Sequence, residues 1–247
     1  MNFYVGLHQP HDAQHFTRSC ISINRLNRRK SPFKVDRWIM DSGAFTEIST
    51  HGHYRADVAE YAAAARRWIG NGQLEAIVAQ DWMCEPFILR KTGLTVDRHQ
   101  SLTVERYDAL LDLDPGAYVM PVLQGFQPEE YLRHIDLYGD RLAGGAWVGV
   151  GSVCKRNASP IDIATVLGLI GTVRPDLRLH GFGVKQTALL DPTVRTLLHS
   201  ADSMAWSYHA RMWGRDGNSW KEAASFRDKV EAASGLHSDG WQIPMTF

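Results

Sequence analysis

The chain has 247 residues, 44% of them hydrophobic and 22% charged, so it can bury a full core and has a length typical of one barrel of alternating strands and helices. Its 27 basic and 27 acidic residues cancel, which excludes a bulk electrostatic attraction to nucleic acid; such binding requires a local patch. The three cysteines, Cys20, Cys84 and Cys154, are far apart, so neither a disulfide framework nor a thiolate zinc cluster is expected.

No metal or other cofactor is therefore expected. No apolar run approaches the length of a membrane span, and the first residues enter a strand pattern without a signal-peptide pattern. We expect a cytoplasmic protein that does not associate with membranes.

Short apolar segments that end in polar residues recur along the chain and predict parallel strands. These strands are predicted at 3–7, 38–40, 74–79, 117–122, 146–150, 177–182 and 201–206. Helices are predicted at 54–69, 96–111, 128–138, 160–173, 192–198 and 220–233. Residues 12–36 are predicted to be irregular and basic, and an eighth strand is not placed. The alternation predicts one α/β domain over residues 1–247, a single (β/α)₈ TIM-type barrel.

The carboxyl ends of parallel strands meet at one mouth of a barrel, so polar residues at the strand tips should converge there. These residues are His8, Asp41, Asp81, Gln124, Gly149 to Ser152, Lys185 and Asp202. Acids, an amide and an open glycine backbone suit a planar heterocycle with several hydrogen-bond donors and acceptors, such as the edge of guanine. Trp82 or Trp206 could stack on its face, although both are more often core residues.

Five motifs, in this order, resemble the tRNA-guanine transglycosylase superfamily: DSGAF at 41–45, QD at 80–81, PVLQG at 121–125, GVGS at 149–152 and HGFGVK at 180–185. Members of this superfamily are (β/α)₈ barrels that exchange guanine for a 7-deazaguanine. The chain lacks the zinc cluster of the tRNA enzymes, so it is most similar to the DpdA-type enzymes of phages and bacterial islands. The resemblance implies exchange of guanine in DNA for a 7-deazaguanine, such as 7-cyano-7-deazaguanine, through a covalent aspartate–sugar intermediate.

The resemblance also implies roles for single residues. Asp41 corresponds to an acid that transfers protons, and Asp81 and Gln124 to residues that bind the base. Gly149, Val150 and Gly151 correspond to the segment that closes over the base. Asp202 is the only acid in the segment that supplies the nucleophile, so either Asp202 attacks the sugar and Asp41 transfers protons, or the two roles are reversed. Further substrate contacts are expected from His8, Ser42, Gly43, Lys185 and Trp206.

Basic residues near the predicted mouth could contact phosphates, or could simply be solvated. The candidates are Arg25, Arg28, Arg29, Lys30, Lys155, Arg156, Arg211 and Arg215. Three rival functions stay open: a related enzyme that acts on tRNA, a non-catalytic barrel that binds a base, and a metal-dependent barrel hydrolase. The hydrolase would use His8, His11, His180 and Asp202, but His8 and His11 miss the His-x-His spacing usual for that class.

Overall fold

The computed structural model describes residues 1–153 and 159–235. Its parallel strands are β1 Asn2–Gly6, β2 Arg18–Ser22, β3 Arg37–Asp41, β4 Gln73–Val78, β5 Val119–Met120, β6 Val122–Leu123, β7 Trp147–Val150, β8 Arg178–Gly181 and β9 Ser200–Ser203. Its α-helices are α1 Ala44–His51, α2 Val58–Trp68, α3 Pro86–Thr92, α4 Val96–Asp112, α5 Pro128–Tyr138, α6 Pro160–Val173, α7 Gln186–Leu189, α8 Pro192–Leu197, α9 Ala205–Met212 and α10 Trp220–Gly235.

The strands form a nearly closed parallel barrel. The sheet order is β5-β4-β3-β2-β1-β9-β8-β7-β6, and only Pro121 separates β5 from β6 along the chain. Proline has no N–H group to donate to a strand ladder, so Pro121 divides one extended strand into two segments. The first segment, β5, pairs with β4, and the second, β6, pairs with β7. The predicted TIM-type α/β barrel is confirmed, with nine strand segments instead of eight.

The strand missing from the sequence-based prediction is β2. It lies within residues 12–36, so the prediction of an irregular segment is wrong there. Its sequence, Arg-Ser-Cys-Ile-Ser, has only two apolar residues, yet it pairs with β3 along its whole length and places Ser22 beside Asp41. Asp41 therefore ends the third strand of the barrel, and Asp202 lies on its last strand.

Most predicted helices are present with small shifts at their ends. The helix predicted from residue 54 begins instead at Val58, because Asp57 and Glu60 form a reciprocal capping box. Helices α1, α3, α7 and α9 were not predicted, and all four lie in connections that follow the carboxyl ends of strands. Helix α9 begins at Ala205, so the prediction of a strand over 201–206 is wrong beyond Ser203. No helix of residues 1–153 and 159–235 is both long and apolar enough to cross a bilayer.

Two apolar layers hold the barrel together. The larger layer lies between strands and helices and includes Phe3 and Val5 of β1. The smaller one lies inside the barrel and includes Tyr4, Cys20 and Trp147. Because successive strand residues face opposite sides, β1 contributes to both layers. The inner layer fills the barrel below its mouth, which leaves the strand tips free to carry chemistry.

Candidate active site

Three aspartates lie at the mouth on three different strands. Asp41 is the last residue of β3, Asp81 follows the end of β4, and Asp202 lies on β9. Asp81 and Asp202 are buried, and Asp41 is partly exposed. Asp41 interacts electrostatically with both of the others. The structure thus brings together the three acids predicted for the site.

Asp81 and Gln124 form the centre of a buried hydrogen-bond network. The Gln124 amide Nε2 donates to Asp81 Oδ2 over 2.5 Å, and Ser42 Oγ donates to Asp81 Oδ1 over 3.2 Å. The Tyr54 hydroxyl donates to the backbone carbonyl of Asp81 over 2.9 Å. Amide, hydroxyl and carboxylate groups are thus presented together, as recognition of a polar heterocycle requires.

Gln124 is held on several sides. Ser152 Oγ donates to its Oε1 over 2.9 Å, and this serine has a left-handed backbone with φ 58°. Gln100 of α4 donates to the backbone carbonyl of Gln124, and the ring of His134 in α5 accepts from its N–H. Burial lowers the pKa of His134 to about 3, so the ring is neutral and can accept that hydrogen bond.

Glycine at 151 is required by the close approach of Gln124. A Cβ atom at Gly151 would lie only 2.1 Å from the Gln124 Nε2 atom. Gly149 faces the same side of β7, where a Cβ atom would lie 2.2 Å from the ring of Phe182. The N–H groups of both glycines are used in strand pairing, and the Val150 side chain packs in the outer core. The faces of these two glycines are therefore covered by Phe182 and Gln124, and their N–H groups are not free donors.

The turn after β3 fixes Asp41. The N–H of Gly43 donates to Asp41 Oδ2 over 3.0 Å, and the Ser22 side chain also bonds to this carboxylate. Gly43 has a φ of 75°, a conformation that residues with a side chain rarely adopt. A Cβ atom there would lie 2.4 Å from Asn24 Nδ2, so the turn also lacks room for a side chain.

Residues of β8 and of the turn that follows it orient the Asp202 carboxylate. The N–H of Gly183 donates to Asp202 Oδ1 over 3.0 Å, and His180 Nε2 lies 3.4 Å from the same oxygen. On its other side, His180 Nδ1 lies 2.9 Å from Ser200 Oγ, which accepts from Trp147 Nε1 over 2.7 Å. The hydroxyl can then donate its own proton to Nδ1, in which case the ring presents its Nε2–H group to Asp202.

Burial and mutual repulsion disfavour the charged form of two of these acids. Burial is the main cause that raises the pKa of Asp41 from 3.8 to about 6, and the nearby Asp202 carboxylate adds to the shift. Burial likewise raises the pKa of Asp81 to about 7, with a further contribution from Asp41. Hydrogen bonds from Gly43 and Gln124 oppose these two shifts. Asp41 can therefore both give and take a proton near neutral pH.

The remaining predicted substrate contacts lie at different depths. His8 is at the mouth, where its ring meets Ser207 of α9 over 2.7 Å. Trp206 is buried, and its indole N–H donates to the backbone carbonyl of Gly6, so its ring belongs to the core beneath the mouth. Lys185 is exposed at the start of α7. Contacts of these residues with a base stay predictions.

The basic residues divide between the two ends of the barrel. Arg25 lies at the mouth, where its Nη2 is 3.2 Å from His8 Nδ1, and Arg211 is close enough to His8 to lower its pKa. The carbonyls of Arg29 and Lys30 instead accept from Arg67, near the far end of α2. The structure does not bring this part of the loop, which includes the exposed Arg28, together with the active site. Arg215 is exposed and pairs with Glu222, whereas Lys155 and Arg156 lie outside the described residues.

Several residues of the site escaped sequence reasoning. Ser22 was missed because its strand was missed, and Tyr54 was assigned only to a helix. His180 was considered as a metal ligand, although its place in the HGFGVK motif, beside the turn that holds Asp202, was a usable signal. Within residues 1–153 and 159–235 no three His, Cys, Asp or Glu side chains are grouped to hold a metal ion.

Comparison with known proteins gives one family. The family described as DpdA, DeoxyPurine in DNA protein A, matches residues 1–225, which include every strand of the barrel and all three aspartates of the mouth. No curated protein matches the chain.

Proposed function

Since the chain belongs to the DpdA family, within the tRNA-guanine transglycosylase superfamily, and that family carries out DNA-guanine transglycosylase chemistry, we propose a specific exchange reaction. The enzyme replaces guanine in DNA by a 7-deazaguanine, such as 7-cyano-7-deazaguanine, through a covalent bond between Asp202 and the sugar. The observation that carries the proposal is the convergence of Asp41, Asp81, Asp202 and Gln124 at one barrel mouth.

The first half-reaction forms a glycosyl ester. An oxygen of Asp202 attacks C1′ of the deoxyribose while the bond from C1′ to the guanine nitrogen breaks, and its electron pair leaves with the base. A carboxylate suits this step because positive charge develops at C1′. Asp41 supplies the proton that the departing guanine takes up, which its raised pKa of about 6 allows.

The second half-reaction reverses these events with a different base. The incoming 7-deazaguanine loses the proton on its glycosidic nitrogen to Asp41, and that nitrogen attacks C1′. The ester bond to Asp202 breaks, so the carboxylate is regenerated and the base becomes part of the DNA. The hydrogen bond from Gly183 to Asp202 supports its role as leaving group, because it stabilises the carboxylate.

Recognition of the base is proposed for Asp81 and Gln124. The N–H groups of a guanine-like edge can donate to the Asp81 carboxylate, and its carbonyl can accept from the Gln124 amide. Both side chains are buried, so an analogue lacking these groups leaves polar atoms unpaired and is rejected. Glycine at 151 supports this role, because it leaves the space that the Gln124 amide occupies.

The exchange is tested with duplex DNA and labelled guanine or 7-cyano-7-deazaguanine. We expect incorporation into DNA by the wild-type enzyme and a protein–DNA adduct that survives denaturation. Asp202→Ala should abolish both, whereas Asp41→Ala should slow exchange but still permit an adduct. Asp140→Ala, which changes an exposed carboxylate, is the control.

Each departure from these results has a defined meaning. An adduct formed by Asp202→Ala but not by Asp41→Ala would reverse the two roles. Labelled base that enters tRNA and not DNA would assign the reaction to RNA. Incorporation into neither polymer by the wild-type enzyme would refute the proposed exchange.

A further inference from the structure

Helix α9 lies at the mouth end of the barrel, where its first turn contacts the residues that follow β1. It begins at Ala205, shortly after Asp202 on β9. Its Trp206 donates to the backbone carbonyl of Gly6 over 2.8 Å, and Ser207 Oγ meets His8 over 2.7 Å. Ser207 also donates to the carbonyl of Gly217 over 2.6 Å, which ties the returning chain to the helix. Helix α10, which follows, packs against β1.

The opposite side of α9 exposes large apolar side chains. Tyr208 is 63% exposed, Met212 65% and Trp213, directly after the helix, 69%. Tyr208 and Met212 are four residues apart and so form one ridge on the helix surface. Trp213 is fixed beside this ridge, because its indole N–H donates to the ring of His209 over 3.2 Å. Exposed apolar residues grouped in this way mark an interaction surface.

Two arginines lie at the same end of the barrel as this apolar ridge, which we call the α9 ridge and define as Tyr208, Met212 and Trp213. Arg211 lies on the same helix, and Arg25 reaches the mouth from the loop after β2, 3.2 Å from His8. The His8 pKa is lowered by burial and by both arginines, so the ring is neutral and can accept from Arg25. An apolar ridge on a helix that carries a cation and directly follows the strand of the proposed nucleophile is complementary to a stacked polyanion.

Duplex DNA presents a steric difficulty to this active site. C1′ of the target nucleotide is inside a stack of bases, whereas Asp202 lies within a barrel mouth. The nucleotide must therefore rotate out of the helix, which breaks its stacking and pairing. Proteins that unstack DNA frequently insert apolar side chains at the opened step.

We propose that the α9 ridge inserts into duplex DNA beside the target guanine and holds the flipped nucleotide in the barrel mouth. Arg25 and Arg211 contact the phosphates on either side of the opening. The inference rests on the proposed exchange of guanine in DNA, and it assigns duplex opening to residues that do not touch the base being exchanged.

The test compares two DNA substrates with one target guanine. In the first the guanine is paired in a duplex, and in the second it lies in a single strand. Tyr208→Ala/Met212→Ala/Trp213→Ala should slow exchange on the duplex by on the order of ten- to a hundredfold and leave exchange on the single strand within about twofold. Leu111→Ala, which removes an exposed leucine near the end of α4, away from the mouth, is the matched control.

A binding measurement separates this inference from the proposed reaction. A duplex with 2-aminopurine at the target position should gain fluorescence on binding the wild-type protein and not on binding the triple variant. If the wild-type enzyme unstacks 2-aminopurine but exchanges no base, the reaction is refuted and the ridge stands. If the triple variant exchanges the paired guanine as fast as wild type, or loses exchange equally on both substrates, the ridge is refuted. If the triple variant folds poorly, Met212→Ala alone keeps the test decisive. The ridge then predicts a smaller loss of exchange rate, confined to the duplex substrate.

Discussion

At the scale of single residues, the mouth places carboxylates where water solvates them poorly. The raised pKa values of Asp41 and Asp81, about 6 and about 7, mean that the folded protein keeps protons that the unfolded chain releases near pH 4. The folded state therefore binds more protons between about pH 4 and pH 7, and the free energy of unfolding must fall as the pH rises through that range. The folded protein is thus least stable at the upper end of this range, where Asp81 becomes the carboxylate that the proposed recognition of the base uses.

We predict that Asp81→Asn weakens this pH dependence. The free energy of unfolding of wild type, from urea titrations, should fall between about pH 4 and pH 7 more steeply than that of the variant, with a difference of a few kcal/mol over the range. Asp176→Asn is the control: Arg174 lowers the Asp176 pKa to about 2, so this group is charged throughout and its loss should give a constant offset. Parallel curves for Asp81→Asn and wild type would contradict the raised pKa.

Gly151 offers a test of recognition, because a side chain at this position would displace the Gln124 amide. In Gly151→Ala the new methyl group meets the amide of Gln124, the far end of a flexible side chain, so the amide moves and the backbone need not. Its bond to Asp81 should break, and binding of free 7-deazaguanine, measured by calorimetry, should weaken about tenfold or more.

The control for this change is another glycine-to-alanine substitution. Gly168 lies in α6 with open space around its Cα atom, so Gly168→Ala should leave binding unchanged and raise the free energy of unfolding by about 0.5–1 kcal/mol. Unchanged base binding in Gly151→Ala would remove Gln124 from the recognition set.

At the scale of elements, one buried serine links β7, β8 and β9 through hydrogen bonds. Ser200 accepts from Trp147 and contacts His180, which faces Asp202. We predict that Ser200→Ala lowers the free energy of unfolding by about 1–3 kcal/mol, because the indole donor stays buried and unpaired. It should also slow adduct formation, because His180 loses its orientation.

Trp147→Phe separates these two effects. It removes the indole donor but keeps the contact between Ser200 and His180, so stability should fall while adduct formation continues at the wild-type rate per folded molecule. Ser101→Ala, on the outer side of α4, should change neither quantity. Equal loss of adduct formation in Trp147→Phe and Ser200→Ala would argue against an orienting role for His180.

The same elements show what the sequence could and could not predict. Apolar strands with a polar last residue were recognisable, and so Asp41, Asp81, Gln124 and Asp202 were placed at one mouth. Strand β2 was not recognisable, because only two of its five residues are apolar, whereas a strand covered on both faces usually reads as an apolar run. The contacts of Ser22, Tyr54 and His180 depend on which strands and loops are neighbours in space, and local patterns do not contain that information.

At the scale of the whole molecule, the proposed exchange on DNA requires a chain with no net charge to bind a polyanion through one face. The structure supplies such a face at the mouth, where Arg25 and Arg211 flank His8, whereas Arg29 and Lys30 lie near the far end of α2. Phosphate contacts release counterions, so each contact steepens the dependence of the binding constant on salt concentration. The salt dependence therefore reports which end of the barrel faces the DNA.

We predict that Arg25→Ala/Arg211→Ala flattens the slope of log binding constant against log salt concentration by about two units, since each lost phosphate contact removes about 0.9. Arg29→Ala/Lys30→Ala removes the same charge from the other end and should leave the slope as in wild type. Binding is measured by fluorescence anisotropy on one duplex over a series of salt concentrations. If the second pair flattens the slope and the first does not, the DNA approaches along the loop after β2 instead of over α9, and the α9 ridge could not be the element that opens it.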